Sequence, residues 1–151
     1  MLPRVEYSVT VPVSVDAAFR AFQDQDRLLD RGIYSRIVWT EGTAWQAGSR
    51  LHYILEKPIS ASVSTVVSSI SVPRSIVLLH HALGITAEQH ITFGPDLKGG
   101  SRVRVAFEFL GTSPDFTEEQ IRDMIAFLAK DALDTLVDGC RPRSAGLASG
   151  E

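Results

Sequence analysis

Three of the four histidines in this chain fall within one stretch, LLHHALGITAEQHITF at residues 78–93. Histidines spaced this closely could bind a metal ion, or act as general acid or base, because their unperturbed pKa of about 6.5 lies near neutral pH. A two-residue turn at Leu83-Gly84 would pair the flanking segments as a hairpin, with His80 opposite Ala87. The chemistry available to the segment therefore depends on which face of the hairpin each histidine occupies.

Strand geometry argues against a metal site built from these histidines. His80 and His81 are consecutive, so they project to opposite faces of a strand. His81 and His90 share a face but are offset by four residues, roughly 13 Å at about 3.3 Å per residue. One zinc ion, with Zn–N bonds of about 2.0–2.1 Å, cannot bind both. A turn shifted by one residue leaves His80 as far from His90, and His52 lies on another strand. The sequence predicts no metal site.

His80 is the histidine expected to face the concave side of the sheet. That face of the hairpin carries the more apolar set of residues: Ile76, Leu78, Ala87, Gln89, Ile91 and Phe93. His80 has two interpretations: a strand-end histidine satisfied by backbone or water, or a polar anchor or general acid–base group for a ligand. Tyr53 and Gln89 occupy inward positions on nearby strands and could orient a ligand with it.

The remaining motifs exclude several functions. GPDLKGG at 94–100 contains glycines and a lysine but precedes a strand-like run, so it predicts a turn and not a phosphate-binding loop. No G-x-S-x-G motif is present, and the single cysteine, Cys140, is expected to be an exposed thiol without a disulfide. Glu56, Glu88 and Glu108 are expected in solvent, which leaves no buried carboxylate pair. No cofactor is predicted.

Composition indicates a globular protein without an affinity for polyanions or membranes. The 151 residues are 44% hydrophobic and 22% charged, with a net charge of -3. This charge offers no basic surface for nucleic acid, and Arg102 and Arg104 alternate as on a solvated strand face. No run approaches 18 apolar residues, so stable membrane insertion is not expected. The N-terminus resembles no signal peptide, so a cytoplasmic location is expected.

Apolar alternation predicts seven strands and few helices. The strand-like runs are 4–13, 33–40, 49–56, 60–72, 75–81, 85–93 and 101–110. Ser14 would cap a short helix continuing to Phe22, with a second helical turn at 26–31. A long helix would begin at Ser113 or at a Thr117–Gln120 capping box and stop at Gly139 and Pro142. Residues 1–140 would form one domain, and 141–151 a disordered tail.

The width of the predicted sheet implies a cavity. Seven antiparallel strands span about 29 Å at roughly 4.8 Å per spacing, whereas one helix is only about 10–12 Å across. The sheet must therefore curl around the long helix, and the short helices can close one end. An apolar space between sheet and helix is a typical place for a small molecule to bind.

With this order of elements, the chain resembles the SRPBCC superfamily, the helix-grip proteins that include START domains, birch-pollen allergens and polyketide cyclases. The resemblance covers residues 4 to about 140. It rests on VTVPVSVDAAFRAFQD at 9–24, the turn at Gly48, SISVPRSIVLL at 69–79, HITFGPDLKGGSRVRVAFEF at 90–109 and the terminal helix. It implies an α+β fold, a curved seven-stranded antiparallel sheet around the long helix, and a hydrophobic ligand cavity. It transfers no catalytic residue, because no catalytic motif of the group is matched.

The residues expected around the ligand lie on inward strand positions and on the apolar stripe of the long helix. They are Trp39, Tyr53, His80, Gln89, Phe107, Met124, Phe127 and Leu128. For Trp39 and the helix residues, core packing is the competing interpretation. Trp45, between Gly42 and Gly48, would cover the cavity mouth or anchor its loop.

Three functions remain open from the residues. The first is binding of an apolar small molecule or lipid by a monomer or homodimer. The second is a cyclase, aromatase or dehydratase that uses His80 or Tyr53 for proton transfer. The third is a protein-binding module, which would need a large exposed apolar patch that the strand alternation does not indicate.

Overall fold

The sheet accounts for most of the architecture in the computed structural model, which describes residues 4–24, 29, 32–57, 59–111 and 113–140. It is antiparallel, with strand order β1-β7-β6-β5-β4-β3-β2. Its strands are β1 (Arg4–Val11), β2 (Tyr34–Glu41), β3 (Arg50–Leu55), β4 (Ala61–Ser71), β5 (Ser75–Ala82), β6 (Ile85–Pro95) and β7 (Ser101–Gly111). The helices are α1 (Val15–Phe22) and α2 (Glu118–Cys140). The predicted seven-stranded helix-grip fold is confirmed.

Two predicted segments lie outside the described residues. The second helical turn at 26–31 is described only at Leu29, which is helical, and the predicted tail at 141–151 is not described.

Both helices begin where the sequence places their caps. The Ser14 Oγ accepts a hydrogen bond from the Ala17 backbone N–H at 3.2 Å, which satisfies an N–H that the first turn of α1 leaves without a partner. At α2, the Thr117 N–H donates to Gln120 Oε1 at 2.8 Å and the Gln120 N–H donates to Thr117 Oγ1 at 3.1 Å. This reciprocal pair is the predicted capping box.

The end of α2 differs from the prediction. The helix continues through Gly139 to Cys140, and Cys140 is buried in the main core instead of exposed. The apolar stripe of α2 continues to this last turn, where Leu136 is also buried. Burial of that stripe outweighs the lower helix propensity of a single glycine, about 1 kcal/mol relative to alanine.

The β5–β6 hairpin has the predicted register. Leu78 pairs with Gln89 and His80 pairs with Ala87. Leu83 and Gly84 have φ of 56° and 74°, as a type I′ turn requires. The apolar face of the hairpin is buried beneath the helices, where Ile76 and Ile91 are fully enclosed. The turn interpretation is confirmed for residues 96–100, which join β6 directly to β7, whereas Gly94 and Pro95 belong to β6.

The main core lies between the sheet, α1 and the second half of α2. On the sheet side it includes Val103 and Val105, and on the helix side Ala129, Leu133 and Leu136. Phe19 of α1 meets Phe93 of β6 edge-on, with ring centroids 5.1 Å apart. The first half of α2 packs against the sheet in a smaller cluster that contains Ile121, Ala87 and Phe109.

Candidate ligand cavity between the sheet and the terminal helix

Two neighbouring cavities lie between the concave face of the sheet and α2. The first has a volume of about 110 Å³ and the second about 90 Å³. They share part of their walls, formed by Tyr34, Tyr53, His80, Gln89 and Ala132. We call them the first chamber and the second chamber, and the four polar side chains common to both the shared wall.

Apart from the shared wall, the residues described around the chambers are almost entirely apolar. The first chamber is bordered by Leu55, Ile59, Val63, Ala82, Leu83, Ile85, Ala87, Phe107, Phe109, Ile121, Met124, Ile125 and Leu128. The second is bordered by Phe22, Ile37, Trp45, Leu51, Thr65 and Leu78. Polar groups are thus concentrated where the two chambers meet.

Hydrogen bonds hold His80 in the middle of the shared wall. Its Nε2 lies 2.7 Å from Gln89 Oε1, and its Nδ1 lies 2.7 Å from Thr65 Oγ1 and 3.5 Å from the Tyr53 hydroxyl. An amide oxygen only accepts, so His80 Nε2–H donates to Gln89. Nδ1 then carries no proton and accepts from the Thr65 hydroxyl. Both ring nitrogens of His80 are therefore used within the protein.

Burial keeps the ionisable groups of the shared wall uncharged. Desolvation lowers the pKa of His80 from 6.5 to about 4, although the hydrogen bond to Gln89 opposes the shift. Desolvation raises the pKa of Tyr53 to about 12. Desolvation also raises the pKa of Tyr34 well above its ordinary value, with smaller contributions from Tyr53 and then Asp131. At neutral pH the wall presents a neutral imidazole and two phenols.

The pKa of His80 predicts a pH dependence of folding. In the unfolded chain His80 is protonated as the pH falls below about 6.5, whereas in the folded chain it is protonated only near pH 4. This contribution to the free energy of unfolding is therefore complete above pH 6.5 and is lost as the pH falls toward 4. The free energy of unfolding, measured with urea at several pH values in this range, should depend less steeply on pH in His80→Gln than in the unaltered protein. His81→Gln changes an exposed side chain and should keep the original pH dependence. Equal slopes in the two variants would contradict the buried neutral imidazole.

Six of the eight residues predicted around the ligand border the first chamber. They are Tyr53, His80, Gln89, Phe107, Met124 and Leu128. Phe127 does not face the sheet as predicted: it is 40% exposed and borders neither chamber, because it lies about a quarter-turn around α2 from Leu128. Trp39 packs edge-on against Trp45, with ring centroids 5.2 Å apart, and against the main core. Its position fits the core interpretation.

Tyr34 is a wall residue that sequence reasoning missed. The alternation of Ile33, Ile37 and Trp39 places Tyr34 on the outer face. A bulge between Ser35 and Val38, with φ of 52° at Arg36, reverses the alternation and turns Tyr34 inward. Because no glycine marks this left-handed position, the sequence carries no signal for the bulge.

Two features of the charged residues are not predicted from the sequence. Asp131 of α2 is buried, with 5% of its surface exposed. On the outer face of the sheet, the side-chain atoms of Glu88, His90 and Glu108 that could bind a metal ion lie within 4.8 Å of one another. The Glu108 carboxylate also pairs with Arg4 at 3.2 Å. Spacing between histidines alone does not reveal this combination, because two of its three members are carboxylates.

Solved structures with the same fold are numerous but distant in sequence. A START superfamily protein from Mycobacterium smegmatis is 12% identical, with a TM-score of 0.75 over 91% of this chain and 96% of that one. The Ara h 8.0201 structure is 16% identical, with a TM-score of 0.69 over 90% and 95%. The Zhui aromatase/cyclase from Streptomyces sp. R1128 is 12% identical, with a TM-score of 0.69 over 93% and 92%. The chain has the helix-grip fold of these structures.

Sequence comparison adds no narrower assignment. No family model matches the chain, and no curated protein matches it. In the part of the chain that the structure describes, no helix is both long and apolar enough to cross a membrane.

Proposed function

We propose that this protein binds a hydrophobic small molecule or lipid in the two chambers between the sheet and α2. The observation that carries the proposal is the contrast between apolar walls and one polar cluster at their junction. Burial of apolar ligand surface supplies affinity at about 25 cal/mol per Å², and a few fixed polar groups supply orientation. The likeness to the START protein and to Ara h 8.0201 supports the proposal only at the level of the fold.

Binding is a better account of the shared wall than catalysis by His80. A general base needs an available lone pair and a pKa near the working pH. His80 Nδ1 already accepts from Thr65, and its pKa of about 4 makes the ring a weak base. The imidazole instead holds Gln89 and Thr65 in position, as a structural part of the ligand site. Likeness to an aromatase/cyclase concerns the fold alone.

Native mass spectrometry tests the proposal directly. Protein purified without detergent is expected to carry an organic adduct that is lost on denaturation. After the adduct is extracted, the protein should bind the neutral apolar dye Nile red saturably, with the extract competing. An absence of both adduct and saturable dye binding would refute a ligand-binding function.

Paired histidine variants assign the binding to the shared wall. His80→Gln removes the ring that fixes Gln89 and Thr65, so we expect dye or ligand affinity to fall about threefold to tenfold, the effect of one hydrogen bond. His81→Gln, on the outer face beside Thr86, should leave affinity unchanged. If both variants bind alike, the shared wall does not contact the ligand.

A further inference from the structure

We infer that the cavity selects an elongated, uncharged molecule that has a hydrogen-bond acceptor near the middle of its length and an apolar segment on either side. The inference rests on the proposed ligand-binding function and specifies the class of ligand. It follows from the position of the polar groups, from which of their atoms already form hydrogen bonds within the protein, and from the effect of burial on charged groups in the site.

The polar groups lie between two apolar spaces and not at the end of one. Tyr34, Tyr53, His80 and Gln89 border both chambers. Beyond them, the first chamber is bordered by aliphatic and aromatic side chains such as Phe109. Besides the shared wall, the second chamber is bordered by Thr65 and by apolar side chains. A molecule filling both chambers therefore passes the polar wall midway along its length.

Several acceptor atoms of the shared wall already form hydrogen bonds within the protein, so the wall offers a ligand mainly hydrogen-bond donors. The Gln89 Oε1 accepts from His80, so the amide NH₂ is the part of Gln89 that can reach a ligand. The Tyr34 hydroxyl adds a second O–H or N–H donor, and the Tyr53 hydroxyl, which lies 3.5 Å from His80 Nδ1, can donate to a ligand when it turns from that nitrogen. The acceptor nitrogen of His80 is occupied by the Thr65 hydroxyl. A carbonyl or ether oxygen complements this set better than a group that needs an acceptor.

The desolvation that keeps the wall neutral also penalises a charged ligand. Burial shifts the pKa of His80 downward and those of Tyr34 and Tyr53 upward, in each case toward the uncharged form. A ligand carboxylate placed against this wall would lose its hydration in the same way, without a cationic side chain among the residues that border both chambers.

Four straight-chain probes of equal carbon number test these features separately. They are dibutyl ketone, with a central carbonyl; methyl heptyl ketone, with a carbonyl near one end; nonane; and nonanoate. By calorimetry at neutral pH, dibutyl ketone should bind about threefold to tenfold more tightly than methyl heptyl ketone, since one more internal hydrogen bond is made. Nonanoate should bind most weakly. Dibutyl ketone should also change the fluorescence of Trp45, which borders the second chamber.

Tyrosine variants connect the preference to the shared wall. The double variant Tyr34→Phe/Tyr53→Phe lacks both tyrosine hydroxyls that could donate to a central carbonyl. The two ketones should therefore bind to it within about twofold of each other. Tyr7→Phe is the matched control: Tyr7 lies on β1 beneath Lys130, away from both chambers. It should keep the full preference. Thermal unfolding of each variant confirms that it is folded.

The possible failures are distinguishable. Saturable Nile red binding without a preference for the central ketone, or with nonanoate binding as tightly, overturns this inference and leaves ligand binding intact. Dye binding with none of the four probes bound also overturns it. Failure of dye and probes together overturns the proposed function itself.

Discussion

Replacing Leu128 with tryptophan is expected to abolish most ligand binding while leaving the protein folded. Leu128 lies midway along α2 and borders the first chamber, so a larger side chain there enters ligand space. We expect affinity for an apolar dye to fall by about tenfold or more, which corresponds to ~1.4 kcal/mol or more. Overpacking a solid core would cost about 1–3 kcal/mol of stability, whereas filling a cavity costs much less. The measurement therefore pairs dye titration with the midpoint of thermal unfolding.

The neighbouring residue supplies the control for this substitution. Phe127 is adjacent in sequence, but its side chain is 40% exposed and borders neither chamber. Phe127→Trp should change neither dye affinity nor the unfolding midpoint. A large loss of stability in Leu128→Trp with unchanged dye binding would mean that Leu128 is ordinary core and that the ligand binds elsewhere.

Gly100→Ala is expected to cause a larger loss of stability than any of the other substitutions. Gly100 has φ of 77° in the turn before β7, a left-handed conformation that costs an L-residue about 1–2 kcal/mol. A Cβ at this position would also collide with the Val11 carbonyl oxygen and lie 3.2 Å from Pro12 Cα. These atoms are backbone at the end of β1, directly beside the Val11–Ser101 pair that joins the sheet's outermost strand to β7. We expect the free energy of unfolding to fall by about 3 kcal/mol or more.

Gly99→Ala separates the collision from the backbone strain. Gly99 has φ of 98°, but nothing lies within 4 Å of a Cβ built there. Urea unfolding should show a loss of only about 1–2 kcal/mol in this variant, from the left-handed conformation alone. If Gly99→Ala and Gly100→Ala lose the same amount, the approach of β1 to Gly100 is not what requires a glycine.

Local sequence patterns are sufficient for the parts of the site that depend on regular strand geometry. In the β5–β6 hairpin, the turn Leu83-Gly84 sets the register, and side chains alternate strictly on either side of it. This is why the sequence alone places His80 and Gln89 on the concave face and His81 on the other. The same regularity along the helix places Leu128 over the sheet.

Where regular geometry is interrupted, the same reasoning predicts the wrong face. The bulge at Arg36 inserts a residue into β2 and exchanges the two faces of the strand, which brings Tyr34 into the shared wall. On α2, Phe127 lies at the margin of a broad apolar stripe, where spacing alone cannot say which edge meets the sheet. Cys140 is buried because the core extends to the last turn of α2, and not because of anything beside it in sequence.

The sequence by itself determined the order of the elements, the hairpin register, and the need for a sheet to curl around one long helix. These follow from interactions between residues close in the chain, and from the widths of a seven-stranded sheet and a single helix. Only the tertiary structure decided that Tyr34, Tyr53, His80 and Gln89 meet where two chambers adjoin. Those four side chains come from four strands, and their meeting depends on the curvature of the sheet and the position of a bulge. Both the curvature and the bulge are set by packing across the whole sheet, and a local sequence pattern does not predict that packing.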